Sequence, residues 1–440
     1  MKTFPRGIHV GHKKEATQSL PICRAALPKR VVLPLQQNLG VPAEAIVKVG
    51  DVVAEGQKIA DSAKFISAPI HAPIAGKVTR IEKLPTAAGV PVQSIVIEAT
   101  EDAPAASPAG DRRFWKDLDR DAIRKAVREA GIVGLGGATF PAHVKLSPPS
   151  EKKIDVVIIN GCECEPYLTV DHRLMLERPG DILSGAGAIA RAVGADRIIL
   201  GIENNKPDAI RTLSAEAKKS TIPGVEVISL KTKYPQGGEK MLIKAILGRE
   251  VPSGGLPMDV GVVVHNVGTA VAIAEALESG KPLIERVVTV TGSGVRNPKN
   301  LLIRIGTSFA EVIEQCGGLT EDAAKIIMGG PMTGTAVSSL DVPVVKATSS
   351  ILVLAKRDVG DFAEGSCIRC GRCIRACPVG LMPNYLADFT KIKNWERVEE
   401  YRVADCIECG CCTYGCPARI FLVQYFKVAK RELQLRKAVC

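Results

Sequence analysis

The chain has 440 residues, with 58 Lys and Arg against 47 Asp and Glu (formal net charge +11), 46% apolar and 4% aromatic residues. Such a length supports about three domains, each able to bury its own core. The composition excludes a bilayer span, since no run of about 18 apolar residues occurs; nucleic acid is the weakest partner for the basic excess, because no basic stripe is interleaved with aromatics.

The opening Met1-Lys2-Thr3-Phe4-Pro5-Arg6 leads into no apolar segment of the kind a secretory signal needs. A reducing compartment is expected, with thiols or metal ligands in place of disulfides. Residues 28–99 read as short strands separated by turns. Within them, 47–57 place a Gly-Asp turn among alternating valines, and 68–78 form a second turn-rich set. Together these resemble the small β-sandwich of biotinyl and lipoyl carrier domains. Lys64 lies near the position of a carrier lysine, but Ser62-Ala63-Lys64-Phe65 lacks the methionines that flank a biotinylated one. A structural module is the expectation.

Residues 101–107, rich in Ala and Pro, read as a linker. From 115 to 285 helical segments alternate with apolar strands at 153–160, 197–203 and 260–265, an α/β pattern with a largely parallel sheet. Its most unusual loop is Gly131-Ile132-Val133-Gly134-Leu135-Gly136-Gly137-Ala138-Thr139-Phe140-Pro141, followed by Lys145. Glycines let backbone N–H groups approach an anion or a flat ring. The loop matches neither the dinucleotide fingerprint, interrupted by Phe140-Pro141, nor a Walker motif; a tight structural turn stays open beside a binding role. A shorter α+β stretch follows to about 345. The basic residues between Lys427 and Lys437 read as the solvated face of a terminal helix.

Near the C-terminus one cysteine spacing occurs twice: Cys367-x-x-Cys370-x-x-Cys373-x-x-x-Cys377-Pro378, then Cys406-x-x-Cys409-x-x-Cys412-x-x-x-Cys416-Pro417. This run holds a [4Fe–4S] cluster in bacterial two-cluster ferredoxins, where the fourth cysteine serves the other cluster. A pair of zinc sites explains neither the third close cysteine nor the trailing Cys-Pro. The expected sets are therefore Cys367, Cys370, Cys373 and Cys416, and Cys406, Cys409, Cys412 and Cys377. Cys23, Cys162, Cys164, Cys316, Cys411 and Cys440 remain as thiols.

The sequence as a whole resembles the C subunit of the Rnf (Rsx) electron-transport complex. The resemblance rests on Gly134-x-Gly136-Gly137-Ala138-x-Phe140-Pro141-x-x-x-Lys145, Glu163-Cys164-Glu165-Pro166-Tyr167 and Gly201-Ile202-Glu203-x-Asn205-Lys206-Pro207. Lys233-Tyr234-Pro235-x-Gly237-Gly238, Asn266-Val267-Gly268-Thr269-Ala270, Met328-Gly329-Gly330-Pro331 and both cysteine runs extend it. The middle domain also resembles the flavoprotein subunit of respiratory complex I. That implies FMN cradled by Gly134, Gly136, Gly137, Lys145, Asn160 and Glu163, with ring contacts near Tyr234, Gly237, Gly238 and Glu239. Phosphate contacts are implied for Asn266 and Thr269, and catalytic roles beside NADH for Glu239 and Lys145. Leu135, Gly238, His265 and Gly268 depart from that family's pattern, which weakens the implied NADH pose more than the flavin site.

The fold implied is multidomain α/β and α+β. A biotinyl/lipoyl-like β-sandwich spans 1–105, and a Rossmann-like FMN- and NADH-binding domain 110–285. A small soluble-ligand-binding, β-grasp-like domain spans 286–350, and a two-cluster ferredoxin-like domain 355–440. The implied function is electron transfer between NADH and ferredoxin through FMN and two [4Fe–4S] clusters, coupled to H+ or Na+ movement. The resemblance also implies attachment through other Rnf-type subunits, membrane and ferredoxin-like, at the cytoplasmic face of the inner membrane. A flavin-dependent cobalamin reductase and a cluster-only relay are the alternatives.

Overall fold

A computed structural model describes residues 1–100, 114–360 and 363–439; the expected linker at 101–107 and Cys440 lie outside them. Two small antiparallel sheets form the N-terminal sandwich. One orders Arg30–Pro34, Val92–Glu98, Gly76–Leu84 and Val52–Val53; the other orders Glu44–Ala45, Lys58–Asp61 and Ile70–His71. Alternation along the strands sends Val31, Leu33, Val53, Ile59, Val78, Ile95 and Ile97 fully inside. Residues 2–24 belong to neither sheet: Lys2 bridges to Leu230, Ile8 to Tyr234, and Ile22–Arg24 pairs with residues 300–302.

The middle domain is built on a four-stranded parallel sheet ordered Val225–Leu230, Arg197–Glu203, Val156–Asn160, Val262–Asn266. Val156, Val157, Ile158 and Ile159 are all buried, as a central parallel strand covered on both faces requires. Helices Pro179–Val193 and Val267–Ser279 cover one face and approach very closely. A Cβ at Gly185 would lie 1.9 Å from the Ala270 carbonyl oxygen, so this crossing needs glycine. The strand order reverses direction at Val156–Asn160, whose neighbours are Arg197–Glu203 and Val262–Asn266. Asn160 and Asn266 stand in register there, at the carboxyl ends of adjacent strands. Open α/β sheets place ligands at such a switch point.

The third domain is a six-stranded mixed sheet ordered Ile22–Arg24, Lys299–Arg304, Glu285–Thr291, Ser350–Ala355, Ala323–Met328, Thr335–Val337. Helix Phe309–Glu314, started by a reciprocal Ser308 and Glu311 cap, packs on it through Phe309, Val312 and Ile313. The C-terminal domain is helical, with Leu386, Val398, Val403, Leu422, Phe426 and Ala429 as its core. Among the described residues no helix is long and apolar enough to cross a membrane.

Candidate flavin cleft and cluster sites

A cleft of about 670 Å³ opens above the switch point. Its walls are residues 135–138, 163–165, Leu168, Val170, Asp171, 234–235 and 237–240; the third domain adds 328–330 and 333–335, and the cluster domain adds 407–409 and Lys427. Of the expected residues, Gly136, Gly137, Asn160, Glu163, Tyr234, Gly237, Gly238, Glu239 and Asn266 line it.

The glycine loop is braced from behind. Gly134 N–H donates to the Phe140 carbonyl (2.9 Å) and Leu135 N–H to Thr269 Oγ1 (2.9 Å). A Cβ on Gly136 would lie 2.8 Å from Asn266 Cβ, whereas one on Gly137 would meet nothing within 4 Å. Gly136 is therefore pressed against the strand end, and Gly137 faces open cleft. Asn266 is pinned: its Oδ1 accepts from Gly268 N–H (2.8 Å), capping helix Val267–Ser279, and its Nδ2 donates to Asp171 (2.7 Å). Asn160 donates to the Gly237 carbonyl (2.8 Å) and accepts from Cys162 N–H (3.1 Å).

Gly134 braces the loop without lining the cleft, and three further expected roles look different in this arrangement. Thr269, fully buried, spends its hydroxyl under the loop and does not line the cleft. Lys145 also stands behind the wall, donating to Glu239 Oε1 and the Val264 carbonyl, both at 2.6 Å. For Thr269 the reason is burial, since a polar group removed from water takes the nearest partner; Lys145, only partly buried, is drawn to the Glu239 carboxylate. Glu163 accepts from Asp171 N–H (2.7 Å) and His172 N–H (3.4 Å), so its carboxylate caps helix Val170–Glu177.

Other lining residues take their roles from long-range contacts, and among them Asp171 was not expected at all. Asp171 is set into the cleft wall; loss of solvation, then the nearby Glu163 carboxylate, raise its pKa to about 7. Glu165 reaches the third domain, accepting from Met332 N–H (3.1 Å) and from the Thr333 hydroxyl (2.5 Å). Burial raises its pKa while those donors oppose the rise. Tyr234 donates its hydroxyl to the Cys409 carbonyl (2.8 Å), which ties the cleft directly to the second cysteine run.

Cys367, Cys370, Cys373 and Cys416 line one cavity, together with Asn384, Ile420 and Leu422. The other four also gather. Burial first, then Cys406, Cys409 and Cys377, push the Cys412 thiol pKa upward. A thiol so crowded by other thiols suits an iron–sulfur core, whose cationic charge compensates thiolates. Cys411 is buried between Tyr234 and Ala376, its thiol toward the Tyr234 carbonyl (3.9 Å). Cys162 donates to the Gly201 carbonyl (3.6 Å). The flavin fits the cleft on a separate observation: Gly137 presents backbone to open space, where a side chain would fill the cradle.

Comparison with known proteins gives four domain matches. They are an RnfC barrel sandwich hybrid domain at 2–102, a Nuo51 FMN-binding domain at 127–275, an SLBB domain at 287–336 and a 4Fe-4S dicluster domain at 365–420. The chain is 49% identical to the C subunit of the proton-translocating ferredoxin:NAD(+) oxidoreductase complex of Clostridium ljungdahlii, over 98% of this chain and 94% of that one. It is 47% identical to the C subunit of the Na(+)-translocating ferredoxin:NAD(+) oxidoreductase complex of Acetobacterium woodii, over 98% and 97%. It is 43% identical to the C subunit of the ion-translocating oxidoreductase complex of Rhodobacter capsulatus, over 98% and 83%. Among solved structures, an NAD+-reducing [NiFe]-hydrogenase in the H2-reduced state shares the fold, with TM-score 0.53 and 21% identity over 73% of this chain and 65% of that chain.

Proposed function

The chain belongs to the RnfC family, the C subunits of ion-translocating ferredoxin:NAD(+) oxidoreductase complexes, and from that premise we propose that it is the electron-input subunit, exchanging electrons between NADH and the rest of such a complex. The observation that carries the reading is the adjacency of the flavin cleft to the second cysteine run, through Tyr234 and the Cys409 carbonyl. FMN takes electrons in pairs and gives them singly, and a [4Fe–4S] cluster passes one at a time, so the two cofactors belong on one chain.

In this reading the chain's own groups bind and orient. Backbone at Gly136, Gly137 and Ala138 would form the bed for the flavin, and Asn266 holds Gly136 in place from behind. Asn160 holds the Gly237-Gly238 turn against it. Glu239, paired with Lys145, keeps a carboxylate at the cleft mouth for the nicotinamide side. Glu165 clasps the third domain across the opening and limits water. Cys406, Cys409, Cys412 and Cys377 hold the cluster beside the cleft; Cys367, Cys370, Cys373 and Cys416 hold the outer one, whose Cys367 and Cys370 are exposed. The exposed first-run loop is the surface this reading offers to partner subunits. The chain sits at the cytoplasmic face of the inner membrane through those partners, and the complex couples transfer to H+ or Na+ movement.

Anaerobic reconstitution of the chain with FMN, iron and sulfide tests this. The reading expects one flavin and iron for two clusters per chain. Iron without flavin would leave a cluster-only relay; cobalamin reduction by the isolated chain would favour the cobalamin-reductase alternative.

A further inference from the structure

The N-terminal arm carries no motif that the proposed function uses, yet it packs against residues that line the cleft. Ile8 exchanges two backbone hydrogen bonds with Tyr234, both at 2.9 Å, and Tyr167 N–H donates to the His12 carbonyl (2.9 Å). Ile8 and Val10 pack against the buried cluster of Tyr234, Ala376 and Cys411, which Met332 and Cys409 also join. Just beyond these contacts Lys14 turns inward. It is 5% exposed, and its ammonium donates to the carbonyls of Glu163 (2.9 Å), Glu165 (3.0 Å) and Leu168, with the Glu163 carboxylate at 3.6 Å.

An ammonium has three N–H donors, and here each finds a carbonyl. All three carbonyls belong to one short segment, residues 163–168, which forms a wall of the cleft. That segment holds two non-glycine residues in left-handed backbone, Glu163 (φ 47°) and Tyr167 (φ 71°). Such residues persist only where their surroundings over-determine them. A buried cation without such partners would in turn be strongly disfavoured.

We propose that Lys14 is a positioning residue of the flavin cleft: its ammonium folds segment 163–168 into the cleft wall, and its charge behind that wall favours the electron-rich, reduced flavin. The charge half rests on the reading that the cleft holds FMN; the folding half does not.

Lys14→Met keeps the side-chain length and removes the charge and all three donors. Backbone amide exchange of the flavin-free chain should accelerate at residues 163–172, while strands Val156–Asn160 and Arg197–Glu203 stay protected. FMN affinity should fall at least tenfold, and the midpoint potential of the flavin still bound should move to more negative values. Lys14→Arg, which keeps charge and donors, should recover the midpoint even where its bulk lowers affinity, and it serves as the test if Lys14→Met does not fold. Unchanged exchange at 163–172 in Lys14→Met overturns the folding half whether or not FMN binds. A bound flavin with wild-type midpoint in Lys14→Met, or a midpoint not recovered in Lys14→Arg, overturns the charge half. Absence of FMN from the wild-type chain would instead strike the flavin reading itself and leave the exchange result standing.

Discussion

Two neighbouring glycines should respond to substitution in opposite ways. Alanine at Gly136 places Cβ 2.8 Å from Asn266 Cβ and 2.9 Å from its Cγ and Nδ2. Carbon atoms in favourable contact sit at about 3.5–4.0 Å. Asn266 cannot retreat without giving up Gly268 N–H and Asp171, so overpacking should cost the fold about 1–3 kcal/mol. At Gly137 the new Cβ meets no atom within 4 Å, and its φ lies outside the left-handed range. Gly137→Ala should leave stability unchanged or raise it by about 0.4–1 kcal/mol, because the unfolded chain loses freedom. The larger Gly137→Val then projects into the flavin's bed and should weaken FMN binding by at least about 1.4 kcal/mol, or tenfold. Urea melts of the flavin-free proteins, FMN titration and iron analysis separate these effects. A folded Gly137→Val protein with wild-type FMN affinity would refute the placement of the flavin against this loop.

Glu239→Gln should slow NADH-dependent flavin reduction far more than it lowers flavin content; stopped-flow reduction at matched flavin occupancy checks this, and unchanged rates would remove Glu239 from the nicotinamide side. Asp171, raised from 3.8 to about 7, keeps its proton in the folded state over a range where the unfolded chain has lost it. Stability should therefore fall as pH rises from about 4 to about 7, by up to about 4 kcal/mol from this group. Asp171→Asn should flatten that slope in urea melts across the window, and a slope equal to wild type would show that Asp171 ionises normally. Cys377→Ser should disturb the cluster held by Cys406, Cys409 and Cys412, while Cys411→Ser leaves both clusters intact; damage confined to the first-run cluster in Cys377→Ser would contradict the crossed arrangement.

The parts of the molecule legible beforehand are those whose signal is local. Four consecutive apolar residues announce a buried parallel strand at Val156–Asn160. The glycine loop and both cysteine runs are recognisable because their residues stand a few positions apart, so spacing alone carries the signal. The rest depends on partners far along the chain. Lys14 stands among polar residues, and nothing near it points to carbonyls some 150 positions away. Glu165 is visible in its motif, but its bonds to Met332 and Thr333 cross a domain boundary. The C-terminal basic residues read as a solvated face, yet Lys430 donates to the Cys406 carbonyl (2.6 Å) and pairs with Glu408, steadying the second cysteine run. Thr269 is the instructive case: the resemblance points to the right segment, but the hydroxyl's role depends on which buried donor lies nearest, and that is Leu135 N–H.

The central claim is that electrons enter at the cleft and reach the clusters through this one chain. Anaerobic titration of the reconstituted chain with NADH, followed by flavin absorbance and cluster electron paramagnetic resonance in the same sample, tests it most directly. The account predicts that NADH bleaches the flavin and that cluster reduction depends on it, disappearing in Gly137→Val protein that retains its iron. Flavin that NADH does not reduce, or clusters reduced equally well without flavin, would contradict it.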